Sequence, residues 1–423
     1  MNILIINHNS GSLQNGPNLR TYYVAKELVK LGHNVNVASS SFSHKYSSLP
    51  IIKGDVTPEV IDFIDYRWIR CIHYKNLLQR IFSHFQFGFK LIRNLDKVCT
   101  KTDVVLFSGP PPEIFLFAYW ISFRLKVPIV SDIRDLWPRT QIEMNYLQWF
   151  NPFTYFLFVC QYLMARYSDR IVSPLPGIGS YMVALGAKKK TTIIENGYDT
   201  TRNELNSDLK LTIIGCSLNY FFTMGDRIKL RELRSKYKLV IGYVGAFDRD
   251  NDIDSYLSAA ECLKEVPEIL FLMVGAGIRS REIVERSISL PNLVVGERVS
   301  SNDVPSVLFY MDILFCGLKP KNIYKYGVSL AKSYEYMAAA KPIIWMVQAC
   351  NNPVAASGSG WTIQPNNLKH LVKTIQEVLD MSVVDLEKLG KMGRQYLEKE
   401  HSYNVLGRRW ENLFQEIITE RTE

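Results

Sequence analysis

Lys332 and Glu335 stand about one helical turn apart in the stretch Tyr326 to Trp345, which reads Y-G-V-S-L-A-K-S-Y-E-Y-M-A-A-A-K-P-I-I-W. A loop holding Gly327 and Ser329 runs into helix formers from Ala331 to Ala340, Pro342 stops the helix, and Ile343 to Val347 reads as a buried strand. A helix start aims unpaired N–H groups and a positive dipole end at the loop before it, which suits a phosphate or diphosphate, and Lys332 adds a mobile cation in the first turn. An ionised Glu335 only accepts hydrogen bonds and pairs with two neighbouring hydroxyls, such as a ribose diol beside that diphosphate. The same Lys-x-x-Glu spacing also makes an ordinary intrahelical ion pair, and spacing alone leaves both readings open.

A second constellation lies in Ser131-Asp-Ile-Arg-Asp-Leu-Trp-Pro138, at the end of a strand-like run from Val127 to Arg134. The rigid fork of Arg134 suits an oxyanion, and the carboxylate of Asp135 suits an acceptor hydroxyl or a leaving phosphate. A purely structural Asp/Arg pair is the alternative. The acidic run Asp248-Arg-Asp-Asn-Asp252 invites a metal, but a calcium loop would need Gly where Ile253 stands and Glu where Ala259 stands, and helix capping explains these aspartates more simply. No metal or cofactor is expected. Neither G-x-G-x-x-G nor a P-loop occurs, which argues against a dehydrogenase or an NTPase, and no carboxylate pair suggests a two-acid hydrolase.

The elements that must position these residues follow from periodicity. Ile3 to Asn7 reads as a strand, Asn18 to Leu31 as a helix ended by Gly32, and His33 to Ser39 as a second strand, a Rossmann-type opening. Further strands are expected at Val104 to Phe107, Arg170 to Ser173, Lys238 to Gly245, Ile269 to Gly275, Asn292 to Gly296 and Ile313 to Cys316. Between them, Thr200 to Lys238 turns polar and irregular and reads as a linker, while Leu368 to Ile418 is helical.

With 423 residues, 47% hydrophobic and 22% charged, the chain is globular and long enough for two domains. A formal charge of +9 points to an anionic partner. Seven scattered cysteines without C-x-x-C, and a start lacking a basic, apolar leader, fit the cytoplasm. Asn145 to Ala165 has no charged residue, but Asn151, Pro152 and Gln161 interrupt it, so a buried or membrane-grazing helix is expected rather than a span. From Tyr66 to Val98 the cations Arg67, Arg70, Lys75, Arg80, Lys90 and Arg93 accompany Leu78, Phe82, Phe85, Phe89 and Ile92 at helical spacing. This basic amphipathic stretch suits an anionic membrane surface, or else a core-facing helix with a solvated basic side. No nucleic-acid motif accompanies the charge, so no nucleic-acid partner is expected.

Lys332, Glu335-Tyr-Met-Ala and Lys341-Pro342-Ile-Ile resemble the nucleotide-binding signature of retaining family-4 glycosyltransferases, roughly K-x-x-E-Y-M-A-x-G-K-P-I-I in bacterial enzymes of O-antigen, capsule and exopolysaccharide synthesis. Gly16 to Arg20 with its following helix resembles the family's opening, Ser131 to Pro138 a D-x-R-D-L-W-P segment of a bacterial subgroup, and Thr192 to Asp199 its N-G-V-D segment.

The resemblance implies an α/β protein of GT-B fold, two Rossmann-like domains with parallel sheets facing across a cleft. The expected divisions are an acceptor domain at 1–200, a linker at 201–237, a nucleotide-sugar domain at 238–395 and a helix at 396–423 returning to the first domain. It implies retaining transfer from a nucleotide sugar, UDP-linked by preference, to a lipid-linked glycan, at the inner face of the plasma membrane. Lys332, Glu335, Gly327, Ser329, Arg249, Gly245, Arg298 and Val299 would hold the donor, Gly16 and Arg20 the acceptor side, and Arg134, Asp135 and Glu335 would serve catalysis. The chain departs from the pattern at Ala246 and Asn251, where relatives carry Arg and Lys for the diphosphate, and at Gly327, where many carry a first Glu. A GT-B scaffold without catalysis is therefore the alternative, and a GT-B nucleotide-sugar epimerase a further one.

Overall fold

The apolar runs become strands of two separate sheets in a computed structural model, which describes the chain except residues 17, 18, 190, 202–204, 218–222 and 423. Pro17 and Asn18 of the opening loop thus lie outside the described residues. One unit comprises Met1–Gly197, Lys325–Ser329 and Tyr403–Glu423; the other comprises Tyr198–Tyr324 and Leu330–Ser402.

In the first unit, β1 (Asn2–Ile6), β2 (Asn34–Ser40), β3 (Val56–Ile61), β4 (Ile64–Ile69), β5 (Val104–Gly109), β6 (Ile129–Ile133), β7 (Arg170–Ser173) and β8 (Thr191–Ile193) pair in the order β3-β4-β2-β1-β5-β6-β7-β8. Alternate side chains serve opposite faces. Ile3, Ile5, Val104 and Leu106 bury against the Leu19–Lys30 and Tyr403–Thr422 helices, whose Tyr22, Leu28, Trp410 and Phe414 fill that side. Tyr23 and Tyr403 stack with centroids 4.5 Å apart, and Gly407 permits the close approach, since a Cβ there would stand 2.5 Å from that of Glu27. On the opposite face Phe107 meets Phe115 at 5.9 Å, under the helices Leu77–Arg93, Phe115–Leu125 and Pro152–Tyr167.

In the second unit, β9 (Lys210–Gly215), β10 (Arg227–Lys229), β11 (Leu239–Ala246), β12 (Ile269–Ala276), β13 (Leu293–Gly296), β14 (Ile313–Gly317), β15 (Ile343–Met346) and β16 (Gly360–Thr362) pair in the order β10-β9-β13-β12-β11-β14-β15-β16. Tyr243, Phe271 and Phe315 pack with Tyr256 and Leu257 of the Ile253–Cys262 helix in its core. Strand order reverses direction beside β11, the place where open α/β sheets bind ligands.

Three expectations need correction. Both sheets are mixed rather than parallel: β3 runs antiparallel to β4, and β9 runs antiparallel to β10 and β13. Asp62 and Phe63, with φ of 50° and 64°, turn the β3–β4 hairpin in the conformation that matches strand twist, and Asp62 accepts from the Tyr22 hydroxyl. Second, 201–237 is no linker. Leu211, Ile213, Ile228, Leu230 and Leu233 are buried, so its charges sit on the edge strand β10, on its neighbour β9 and on the short Leu230–Arg234 helix. Third, the unit boundaries fall at Gly197 and Tyr403. The Val383–Tyr396 helix stays with the second unit because Arg394 Nη1 donates to the Ala338 carbonyl at 2.6 Å, and Gly390 lies too close to the Ala340 carbonyl for any Cβ.

Candidate functional site

A cavity of about 290 Å³ opens at the carboxyl ends of β11 and β12. Val244, Gly245 and Ala246 form one wall, Val274, Gly275 and Ala276 another, and Arg298, Val299, Ser301 and Val304 close it. Glycine at 275 is required, since a Cβ would lie 1.9 Å from the Gly245 carbonyl oxygen. Arg298 is exposed at this cavity; Arg249, on the loop after β11, is exposed but is not among the residues that line it. Of the expected donor residues, Gly245, Arg298 and Val299 therefore share one pocket; Ser301 and Val304 join them without any sequence signal of their own.

Lys332 reaches the same wall through a relay. Its Nζ donates to Asn251 Oδ1 at 2.5 Å, and Asn251 Nδ2 donates to the Ala246 carbonyl at 3.0 Å. The ammonium also stands 5.0 Å from the centroid of the Tyr243 ring. Burial lowers the Lys332 pKa against the raising pull of Cys316, Asp248 and Glu335. Glu335 thus acts on the lysine electrostatically from one turn further along the Ala331–Ala338 helix. Ala246 and Asn251, the two departures from the family pattern, are the residues this relay joins.

The Asp248–Asp252 run is structural in its ordered contacts. Asp252 caps the Ile253–Cys262 helix by accepting from Ser255 N and Ser255 Oγ, at 3.3 and 2.7 Å, and Asp250 pairs with Lys321 at 2.5 Å. Among the described residues, no three His, Cys, Asp or Glu side chains are placed to hold a metal ion.

The loop before the helix belongs to the first unit. Ser329 Oγ accepts from Asn196 N and the Ser329 carbonyl from Asn196 Nδ2, both at 3.1 Å, while the Tyr326 carbonyl accepts from Gly177 N at 2.9 Å. Gly327 turns this loop with φ of 103°. The stretch that reads as one site in sequence is thus divided between the units at Leu330, and Gly327 and Ser329 do not line the donor cavity.

At the end of β6, Asp135 accepts from Trp137 Nε1 at 3.0 Å, and burial raises its pKa, opposed by hydrogen bonds from Thr140, Trp137 and the Leu136 backbone. Arg134 Nε donates to the Gly109 carbonyl at 3.1 Å, and burial pulls its pKa down. The two side chains face different partners and are not a closed pair. Lys45, Arg80 and Arg134 all act on this neighbourhood, whose carboxyls are those of Asp135 and the buried Asp132.

Arg20 is a correction. It was expected as a cation offered at the acceptor loop, yet it is 6% exposed and spends its donors internally. Asp132 takes Nε and Nη2 at 3.1 and 3.2 Å, and the carbonyls of Ile194 and Glu195 each accept at 2.6 Å. Asn196 Oδ1 and the Trp410 ring complete its shell. An Asp inside an apolar strand needs such a partner, and that was the available signal for Asp132. Gly16, with φ of 108°, ends a loop that Asn15 ties to Ser47 by a 2.8 Å bond.

The six cations expected as one basic face do not share an element. Arg67 lies in β4 with Asp65 at 3.9 Å, and Arg70 follows that strand; the helix starts only at Leu77, after the Asn76 cap. Lys75 and Arg93 are exposed, but Arg80 stacks over Trp137 at 5.7 Å and Lys90 pairs with Asp55 at 2.7 Å.

Residues 14–202 match the family described as Glycosyltransferase Family 4, and residues 238–381 the family described as Glycosyl transferases group 1. No curated protein matches the sequence. Among solved structures the chain is similar to sucrose-phosphate synthase of Thermosynechococcus elongatus, at 14% identity and a TM-score of 0.69 with 99% of each chain covered. It is similar to HepE of Anabaena in complex with UDP-glucose, at 12% identity and a TM-score of 0.64, covering 98% of this chain and 100% of that one. A UDP-forming α,α-trehalose-phosphate synthase of Burkholderia xenovorans gives 11% identity and a TM-score of 0.69, with 98% and 99% covered. Likeness at these identities shows the fold, two Rossmann-like units of GT-B type.

Proposed function

Because the chain belongs to the family-4 glycosyltransferases of GT-B fold, we propose that it moves a hexosyl unit from a UDP-sugar to a hydroxyl of a lipid-linked glycan, with retention at the anomeric carbon. The work is the assembly of a bacterial surface polysaccharide, done by a cytoplasmic protein held peripherally at the inner face of the plasma membrane. The base enters the cavity beside Arg298 and Val299, the ribose diol meets Glu335, and the diphosphate meets Lys332 at the start of the Ala331–Ala338 helix. The acceptor oxygen forms its bond to the anomeric carbon as the bond from that carbon to the diphosphate breaks. The acceptor proton passes to the departing phosphate oxygen, and UDP leaves with its charge met by Lys332 and the helix end. Arg134 and Asp135 orient the acceptor hydroxyl in the first unit. Neither a metal nor a cofactor enters this scheme.

The observation that carries the reading is the relay of Lys332 through Asn251 to Ala246 in the wall of the cavity. It brings a desolvated cation to the strand ends although the family's usual Arg and Lys are absent. By their descriptions, HepE binds UDP-glucose and the trehalose-phosphate synthase forms UDP. The test is a thermal-shift panel of UDP, GDP, ADP, CMP and UDP-glucose, since a ligand bound by the folded state raises its apparent stability. Stabilisation by uridine nucleotides alone, lost in Glu335→Ala and Lys332→Ala, is expected. A folded wild type that no nucleotide stabilises would instead be a GT-B scaffold without catalysis, the reading that Ala246 and Asn251 favour.

A further inference from the structure

The helices on one face of the first sheet carry more apolar surface than that sheet can bury. At about 100° per residue, Leu78, Phe82 and Phe89 of the Leu77–Arg93 helix fall on one stripe, and His84, Phe87 and Leu91 fall on the opposite side. The second set is buried; Leu78, Phe82 and Phe89 are 79%, 59% and 64% exposed. A surface helix needs one apolar stripe to hold its place in a fold, and this one has two.

Its neighbours repeat the excess. Phe85 meets Phe117 of the Phe115–Leu125 helix and Phe156 of the Pro152–Tyr167 helix, each at 6.1 Å, so the three helices lie side by side. Phe123 is 73% exposed, and Tyr155, Val159 and Tyr162 form another exposed stripe at helical spacing. Trp149 and Phe150, just before the last of these helices, are exposed as well. Apolar area of this extent marks an interface.

Charge identifies the occupant. The three helices contain no Asp or Glu; with Arg80 held over Trp137 and Lys90 paired with Asp55, their remaining cations are Arg93, Arg124 and Arg166. A second copy seated on this face would oppose cations with cations. An anionic bilayer instead offers acyl chains to the aromatic stripes and headgroups to the cations, whose long stems reach the lipid phosphates. Among the described residues no helix is long and apolar enough to cross a membrane, so such a face would meet a bilayer by lying on it and not by spanning it.

We propose that this three-helix aromatic face, rather than the scattered cations of 67–93, docks the protein on an anionic lipid surface. The inference deepens the peripheral location proposed above. The test sediments the full chain with phosphatidylcholine vesicles, with and without phosphatidylglycerol, alongside sedimentation velocity without lipid. Wild type should pellet with the phosphatidylglycerol vesicles, and Phe82→Ser with Phe123→Ser should weaken that binding by about tenfold or more per side chain. Both side chains face solvent, so the variants should melt as wild type does. Arg124→Gln should weaken binding less, by a margin that raised salt erases.

Absent vesicle binding, or unchanged binding by the double variant, overturns the proposal. So does equal binding without phosphatidylglycerol, or a lipid-free dimer that the double variant dissociates. A UDP shift measured on the same preparation separates the two readings. Vesicle binding without a UDP shift removes the donor site and leaves the docking face; a UDP shift without vesicle binding does the reverse.

Discussion

The two units share an architecture, eight strands with crossover helices, and differ in what their helices show to solvent. In the second unit those helices are laced with exposed ion pairs at i,i+4 spacing: Arg281 with Glu285, Lys373 with Glu377, Lys391 with Glu387, and Arg394 with Glu398. Among the described residues eleven exposed large aromatics lie between Phe63 and Tyr167, whereas the second unit has one, Phe309. One scaffold therefore supports two surfaces, because the fold constrains only the inward stripe of each helix. The outward residues are left to whatever each unit meets.

The largest effect should come from breaking the first unit alone. Trp410 and Phe414 are 1% and 0% exposed, and Trp410→Ala should cost about 3–5 kcal/mol in denaturant unfolding. Hydrogen exchange should show the loss in β1 and β2, with nucleotide protection of β11 and β12 retained. Equal loss in both sheets would mean that the units unfold as one.

Lys332→Ala should lower transfer by about 10²–10³-fold, as removal of one preorganised charge does. Its pKa is lowered by burial, so the folded state holds that proton less tightly than the unfolded chain. Stability should therefore rise as pH climbs from the folded value towards the ordinary lysine value. Affinity for UDP should fall over the same window in wild type and stay flat in Lys332→Ala; titration calorimetry across pH reads both.

In the first unit the sign is opposite. Burial raises the Asp135 pKa, so stability is fully present below the ordinary carboxylate value and is lost as pH rises through the raised one. Asp135→Asn should slow transfer by about 100-fold yet melt higher than wild type at neutral pH. A variant that melts lower would show the carboxylate to be a structural anchor held by Trp137. The smallest change is expected for Arg249→Ala, an exposed residue whose loss should weaken nucleotide binding by less than about tenfold and only at low salt.

Legibility followed sequence distance. Most strands were readable because each is an apolar run bounded by turn residues, and the Ala331–Ala338 helix because formers, Gly327 and Pro342 bracket it. The β3–β4 hairpin was not, since Asp62-Phe63 lacks the Asn-Gly or Asp-Gly signal of such turns. Strands β9 and β10 hid in a charged stretch: β10 is an edge strand, which tolerates charge on its open side, and β9 opens on the exposed Lys210. Leu78, Phe82 and Phe89 had the spacing of a core stripe; only their exposure set them apart from Phe87 and Leu91.

By itself the sequence determined the α/β class, the family through its Lys332 to Ile344 signature, and the residue types available for a diphosphate. Tertiary structure decided their employment. Arg20 finds Asp132 across 112 positions and becomes a buried strut, while Lys332 finds Asn251 across 81 and reaches the cavity wall. Periodicity and capping are set by neighbours within a turn or two, but burial and hydrogen-bond partners depend on chain that arrives from far away. A charge at a given spacing becomes a strut or a ligand contact only once that distant chain has packed.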